Sequence, residues 1–401
     1  MHLTGTELNR HAAPQPLVFA KITKRCRAKV VIGLSVRHRL FKHKDAYDHP
    51  GTDALFAKAL SDVVAFHALN CSDYAAILQR EGYDASKPVS INEIQNIPPI
   101  PTLFLKQHQL LSMPLESMLL QSTTSGTSGT PVTVGMDRGC VRLGLSMMVR
   151  LLRHHRLISM LPTRHVILGY QPAPHNHMGA VKTAYASTWL ALPASRIFAL
   201  RDTGKDYELD IEGICDALER YSRARMPVRI TGFPSFLLAL IQYMEGHELH
   251  LKMPPGSKVM LGGGWKHTMA KPIEKTELFR MVNTTFGLNE QDIIELFAVV
   301  EHPIPYFCCT RHHFHVPVYS RVIIRNPQTL DPMPFGQPGL LNLLTPFLLS
   351  MPLSSIMTDD VAVLYPGTSC GCGLEAPWFE ILGRAGVEGI QTCAVKAEEM
   401  L

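Results

Sequence analysis

Ser122-Thr-Thr-Ser-Gly-Thr-Ser-Gly-Thr-Pro131 lies between the apolar pair Leu119-Leu120 and the run Val132-Thr133-Val134. Its composition suits one physical task. Gly126 and Gly129 permit positive φ and let backbone N–H groups turn toward a common point. The hydroxyls of Ser125, Thr127, Ser128 and Thr130 add donors. Such a loop, held between two strand-like segments, cradles an anion, most often a phosphate. The competing reading is a flexible Ser/Gly linker, but linkers are rarely this short or flanked by strand-like runs on both sides.

The chain around it is globular in composition. At 401 residues, with 46% hydrophobic and 18% charged residues, it is long enough for one large domain or two to three ordinary ones. The formal charge of +5 is concentrated before residue 45. It is therefore a poor argument for nucleic-acid binding by the body. No apolar run reaches the ~18 residues of a membrane span. Nine cysteines in a chain of this length do not make a disulfide scaffold, and the expected compartment is the reducing cytosol. Residues 1–48 read as a basic, poorly ordered arm. Ordered structure is expected from about 49, with Asp53 as a cap and Leu55, Phe56, Leu60, Val63, Val64 and His67 at helical spacing.

Three prolines in Ile97-Pro-Pro-Ile-Pro101 force an extended path. After the Ser/Thr/Gly loop, Asp137 to Leu157 predicts a helix with Val141, Leu145, Met148, Val149 and Leu152 inward. From about residue 166 strand and helix alternate. Val166–Gly169, Val228–Thr231 and Lys258–Leu261 read as strands, and Pro234-Ser235 opens an apolar helix. This is the pattern of a mainly parallel sheet covered by helices, in which ligands sit beyond the carboxyl ends of the strands. Gly262-Gly263-Gly264-Trp265-Lys266 falls at such an end. Ile293 to Glu301 gives a further strand closed by an acid. Beyond it, Phe314–Arg325, Gly339–Leu344 and Val361–Tyr365 suggest a more antiparallel, β-rich part over about 300–384. The loops around His175, His177 and Gly179 and around Phe233 are candidates for a substrate pocket.

Cysteines and histidines cluster late in the chain. Cys309 to His315 has C-x5-H spacing, and Cys370-Gly-Cys372-Gly is C-x-C with glycines that let the chain wrap an ion. Three sulfurs and an imidazole make a closed tetrahedral zinc shell. Cys308 is an alternative to Cys309, and His312 or His313 to His315. Reduced, unpaired cysteines are the competing reading.

The order of these features resembles the adenylate-forming enzymes, whose phosphate loop is of the type S-G-T-T-G-K-P-K. Here it reads Ser125-Gly-Thr-Ser-Gly-Thr-Pro131, without the lysines. The closer resemblance is to the acyl-protein synthetases of bacterial luciferase operons, relatives of the phenylacetate–CoA ligases. Ile-Pro-Pro-Ile-Pro with Phe104 and Lys106, Gly-Gly-Gly-Trp-Lys at 262–266, His-Phe-His-Val-Pro at 313–317 and a cysteine near the C-terminus carry it, from about residue 50 onward. The fold it implies is the α/β large N-terminal domain of those enzymes over 49–384, layered sheets with a small β-rich subdomain. Seventeen residues follow Arg384, fewer than a domain needs, so a truncated C-terminal domain and a short tail over 385–401 are expected.

The resemblance also implies roles. Ser125, Gly126, Thr127, Ser128, Gly129 and Thr130 would hold the phosphates of ATP, and Gly262, Gly263 and Gly264 would flank adenine. Glu301 would be the Mg²⁺-linked acid, although Phe297-Ala-Val-Val before it departs from the usual aromatic-Gly-x-Thr. Asp360 would bind ribose hydroxyls, and Arg384 would lie near the nucleotide. The positive charge that the C-terminal domain's lysine brings in that superfamily would come from Lys266, Lys396 or a partner protein, and Cys393 would accept the acyl group. A structural Zn²⁺ on Cys309, His315, Cys370 and Cys372 is likewise implied. The expected activity is ATP-dependent activation of a carboxylic acid, a fatty acid first among them, as acyl-AMP. Transfer to a protein thiol follows, on Cys393, a reductase-like partner or a carrier protein. The alternatives are a ligase forming an acyl-CoA or amide after the same first step, and a non-catalytic scaffold.

Overall fold

The computed structural model describes residues 35–123, 132–176, 179–263 and 273–385. The Ser/Thr/Gly loop over 124–131, His177, the stretch 264–272 with Gly264 and Lys266, and the tail with Cys393 therefore lie outside the described residues.

The strands of the alternating region assemble as their apolar runs require. β4 (Ser159–Tyr170), β5 (Ala191–Asp202), β7 (Val228–Gly232), β8 (Lys258–Gly262) and β9 (Ile293–Val299) are parallel neighbours. β6 (Tyr207–Leu209) and β10 (His302–Phe307) pair antiparallel at the two edges, in the order β10-β9-β8-β7-β4-β5-β6. A parallel sheet must bury both faces. Val166, Leu168, Val228, Ile230, Val259 and Leu261 share one core with helices α7 (Ile211–Ser222), α8 (Pro234–Gly246) and α9 (Lys275–Phe286). α8 has Pro234 at its first turn, where a missing N–H costs nothing. Met260 joins a second core with α2 (His49–Asn70), α3 (Ser72–Arg80) and α5 (Arg138–His154).

The second sheet is antiparallel, as the late part of the sequence suggests. It runs β11 (Phe314–His315), β15 (Trp378–Arg384), β14 (Ser355–Tyr365), β13 (Pro338–Leu344), β12 (Arg321–Arg325). The proline run supplies β1 (Ile100–Pro101), which pairs parallel with Ile356 and Met357 of β14. α4 (Thr102–Gln107) follows directly. The flanks of the Ser/Thr/Gly loop are β2 (Met118–Thr123) and β3 (Thr133–Asp137), paired antiparallel with Thr123 opposite Thr133. No single helix among the described residues is long and apolar enough to cross a membrane.

Four expectations need correction. Residues 35–48, read as part of the arm, are folded: α1, described over 35–41, buries Arg37, Leu40 and Phe41. Arg37 donates from Nε and Nη2 to the Phe347 carbonyl at 3.1 and 2.6 Å and from Nη2 to Cys140 Sγ at 3.2 Å. Asp48, not Asp53, caps α2 by accepting from Gly51 N, while Asp53 pairs with the buried Arg321 at 2.6 Å. In α5 the buried stripe is Cys140, Leu143, Met147 and Leu151 with Leu152, and Leu145 is 64% exposed. The expected stripe is rotated by roughly a third of a turn from the buried one, with Leu152 common to both, and periodicity alone does not choose between them. The expected single strand over 314–325 is two strands, interrupted at 316–320, a span that contains Pro317 and Ser320.

His67 shows how tightly this body is packed. It is fully buried, and its Nε2–H donates to Leu348 O at 3.2 Å, so its Nδ1 accepts from the Ser112 hydroxyl at 2.7 Å. Burial, aided by the Arg37 charge, pushes its pKa down to about 3. In the unfolded chain the imidazole titrates near 6.5. Its contribution to stability is thus complete above about pH 6.5 and is lost as the pH falls from there toward 3, because only the unfolded state takes up the proton. His67→Gln should remove this slope. In urea unfolding across pH 7 to 4, the stability difference between wild type and variant should shrink as pH falls. A difference independent of pH would show that the imidazole is not held neutral.

Candidate active site and metal centre

The carboxyl ends of β7, β8 and β9 lie at one edge, where register pairs Gly232 with Leu261 and Gly262 with Leu296. Such an edge is where open α/β sheets bind ligands. β8 runs into Gly263 at φ 76°, a left-handed conformation that favours glycine. A Cβ there would come within 2.6 Å of the Phe233 ring. The structure thus brings together two sequence-identified positions, the glycine turn and Phe233. Gly179 is the first residue of α6 (Gly179–Ser187). His175 is exposed and packs 5.6 Å from the Tyr207 ring of edge strand β6, away from Phe233.

At the same edge, the turn from β9 to β10 buries Glu301. Burial pushes its carboxyl up. Its own backbone N–H, Lys106 and Arg384 pull the other way, while Asp359 adds to the rise. Asp360 is buried on β14 directly opposite Arg384 of β15. Arg384 Nε donates to Asp360 Oδ1 at 3.4 Å. Burial raises the Asp360 carboxyl as well, and Arg384 and the Thr358 hydroxyl oppose the rise. Glu301, Asp360 and Arg384, far apart in sequence, therefore occupy one electrostatic neighbourhood, with Asp359 and Lys106 as additional members. Sequence reasoning gave Lys106 no role. Its signal was position: the proline run seats β1 beside Ile356-Met357, and α4 follows at once.

The cysteine and histidine pattern also converges. One ligand atom from each of Cys309, His315, Cys370 and Cys372 lies within 4.8 Å of the others. Cys309 Sγ is 3.5 Å from Cys370 Sγ, and Cys372 Sγ is 3.3 Å from His315 Nε2. His315 Nδ1 donates to the Ala376 carbonyl at 2.7 Å, which leaves Nε2 facing the sulfurs as a lone-pair donor. Gly371 and Gly373 have φ of 73° and 93°, and so let the loop wrap around this point. Of the alternatives, Cys308 and His312 separate from it, while His313 stays beside it. Cys308 and His312 group with Glu295, which Lys275 pairs at 3.0 Å. His313 stacks on Trp378 and places Nδ1 3.2 Å from Cys370 Sγ. Three sulfurs and one oriented imidazole, all partly or fully buried, form a donor set that fits Zn²⁺.

Fold comparison places the chain in a class. It superposes on 2-hydroxyisobutyryl-CoA ligase in its postadenylation state with a TM-score of 0.65 at 13% identity, covering 85% of this chain and 69% of that one. The same ligase in its thioesterification state gives 0.64 at 15% identity, covering 85% and 70%. The architecture is that of the adenylate-forming ligases. Within that class the sequence is more specific. The family model for acyl-protein synthetase, LuxE, matches residues 44–401, and the chain belongs to that family. Among its relatives is the long-chain-fatty-acid–luciferin-component ligase of Vibrio harveyi, 23% identical over 362 residues, covering 86% of this chain and 88% of the relative. The protein of the same name from Aliivibrio fischeri is 24% identical over 331 residues, covering 78% and 80%.

The packing of Phe233 on Gly263 is testable without knowing the substrate. Gly263→Ala combines a steric clash with an unfavourable φ and should cost about 1–3 kcal/mol. Phe233→Leu should cost less. The double variant should be more stable than the summed losses imply, because the smaller side chain relieves the clash but not the backbone strain. Chemical denaturation of the four proteins measures this. Strict additivity would mean that the ring and the turn do not touch.

Proposed function

We propose that the chain activates a long-chain fatty acid with MgATP and passes the acyl group to a protein thiol. The observation that carries this reading is the gathering of Glu301, Asp360 and Arg384 at the carboxyl edge of the sheet in a chain of the acyl-protein synthetase family. In the first step the fatty carboxylate attacks the α-phosphorus of ATP, pyrophosphate leaves, and an acyl-AMP anhydride forms. In the second, a thiolate attacks the acyl carbonyl, AMP leaves with the bonding electron pair, and a thioester remains.

Each residue has a part suited to its chemistry. The hydroxyls and N–H groups of 125–130 hold the phosphates, and Gly262 to Gly264 leave room for adenine. A buried carboxylate such as Asp360 accepts ribose hydroxyls, with Arg384 fixing its orientation. Glu301 would hold the magnesium that accompanies ATP, and Lys106 and Lys266 would offset charge developing on the phosphates. Phe233 and the segment 177–179 contact the acyl group. Cys393 is the acceptor thiol, because a covalent thioester divides one hard transfer into two easier ones. The onward acceptor is a reductase-like or carrier protein. The adenylating body extends to about 384, with its β-rich part from about 300. All seven described cysteines are free, which suits a reducing cytosol.

Cys309, His315, Cys370 and Cys372 hold a structural zinc ion in this reading. Bound there, the ion supplies the charge that keeps the thiols deprotonated, which burial alone opposes. The protein's own contribution is to orient His315 through Ala376 and to close the shell with the 370–373 loop.

Two experiments test these assignments. ATP–pyrophosphate exchange with a panel of acids should be strongest with long-chain fatty acids and fall at least ~100-fold in Glu301→Gln, the scale expected for a lost electrostatic contact. Radiolabelled acid should remain on denatured protein and be absent from Cys393→Ser, which should still catalyse exchange. Exchange with no acid, by folded protein, would overturn the first step; label retained in Cys393→Ser would overturn only the acceptor. Separately, chelator-washed protein should carry about one zinc per chain, given how tightly structural sites hold metal. It should lose this zinc in Cys372→Ser. Stoichiometry below ~0.2 would reject the site.

A further inference from the structure

β4, β5 and β7 lie side by side, and their register sets His165 opposite Arg196 on one flank and opposite Arg229 on the other. Cross-strand partners project from the same face of a sheet, with neighbouring strands ~4.8 Å apart. Two guanidinium groups thus flank one imidazole. His165 is fully buried and Arg229 is 4% exposed. Four of their nitrogen atoms are buried without a hydrogen-bond partner: Nδ1 and Nε2 of His165, Nη2 of Arg196 and Nη1 of Arg229. The remaining contacts are partial. Arg229 Nη2 donates to the Leu157 carbonyl just beyond α5, at 2.7 Å. Arg196 Nε donates to Thr188 Oγ1 at 2.7 Å, and its guanidinium lies over the rings of Trp189 and Tyr185. Among the described residues no carboxylate pairs with either arginine.

This arrangement is costly as it stands. Buried charges are almost always paired, and a buried donor without an acceptor loses the hydrogen bonds it made to water. Ordered water can satisfy the donors but cannot neutralise two charges. Burial and the two neighbouring arginines push His165 down to about 4, so it is neutral at physiological pH and the excess charge rests on the guanidiniums. Planar guanidinium donors match the oxygens of an oxyanion in paired geometry.

We propose that this row binds a small oxyanion of the phosphate class, held between Arg196 and Arg229 with His165 donating or accepting at its centre. The row is separate from the nucleotide edge: Arg229 precedes the end of β7 at Gly232 by three residues, roughly 10 Å along the strand. Its open side is at Arg196, next to the exposed Trp189.

The test is calorimetric titration of the full chain with inorganic phosphate while a non-hydrolysable ATP analogue saturates the nucleotide site. About one phosphate per chain should still bind. Arg196→Gln should weaken that binding at least tenfold, and since Arg196 is only partly buried the variant should fold. Arg229→Gln should do the same where it folds, which thermal melting checks. Phosphate should also raise the melting temperature of wild type above that in chloride at matched ionic strength, and this increment should vanish in Arg196→Gln. No phosphate uptake by folded, analogue-bound protein overturns the proposal, leaving a hydrated row. Equal affinity in wild type and Arg196→Gln overturns it too, and equal protection by chloride overturns the oxyanion class.

Discussion

The pairing of Asp360 with Arg384 across β14 and β15 depends on, and in turn constrains, most of the second half of the chain. β14 is used on both sides. β13 takes one side, while β15 from Asp360 onward and β1 at Ile356-Met357 share the other. The proline run that cannot form a helix is therefore the segment that fits a short gap beside a long strand. The helix that follows it brings the charge of Lys106 to Glu301. Residues separated by about 280 positions come together through strand pairing, without a long flexible connection.

The fold was readable where local chemistry leaves little choice. Short strand-like runs closed by glycine, Val228–Gly232 and Lys258–Gly262, gave β7 and β8, and Pro234 gave the start of α8. Spacing and the family resemblance together pointed to Cys309, His315, Cys370 and Cys372, with Cys308, His312 and His313 left open; the structure gathers those four, draws Cys308 and His312 away to Glu295, and keeps His313 beside Cys370. What failed was choice between near-equals. α5 carries two apolar stripes, and only the packing of Cys140 against Phe347 and of its neighbours decides which is buried. Asp48 and Asp53 both suit a helix start, and a distant partner, Arg321, claims the second. The folding of residues 35–48 was hidden because their basic composition looks like a solvated arm. Arg37 is nevertheless a core residue that satisfies a carbonyl 310 positions away.

The row of Arg196, His165 and Arg229 was invisible for the same reason. Each residue sits in a different strand, and no spacing along the sequence links them. Cross-strand register is a tertiary property, set by which strands neighbour which. The same register that places Val166 and Ile230 in an apolar core turns their neighbours His165 and Arg229 to the opposite face, because side chains alternate along a strand. A polar row beside an apolar one is thus the direct consequence of alternation, and what is unusual is that the polar row is buried.

The cysteine–histidine cluster and the acid at the sheet edge share one strand. β10 begins at His302, next to Glu301, and ends at Phe307, immediately before the strap that carries Cys309 and His315. Cys308 N donates to Glu295 O, so the strap leaves the sheet still bonded to β9. At its other end β10 is anchored by His302, whose ring contacts both Ser320 and the hydroxyl of the buried Tyr306. Holding the strap to the 370–373 loop therefore limits how far β10 can slide against β9, and β10 carries the turn that buries Glu301. Burial raises both Glu301 and Asp360, which makes their charged forms costly unless cations stand close by. A site of this kind gains from rigid supports, since a carboxylate free to swing into solvent would escape the burial that makes it responsive to a bound cation. The strap and β10 supply that rigidity from outside the site.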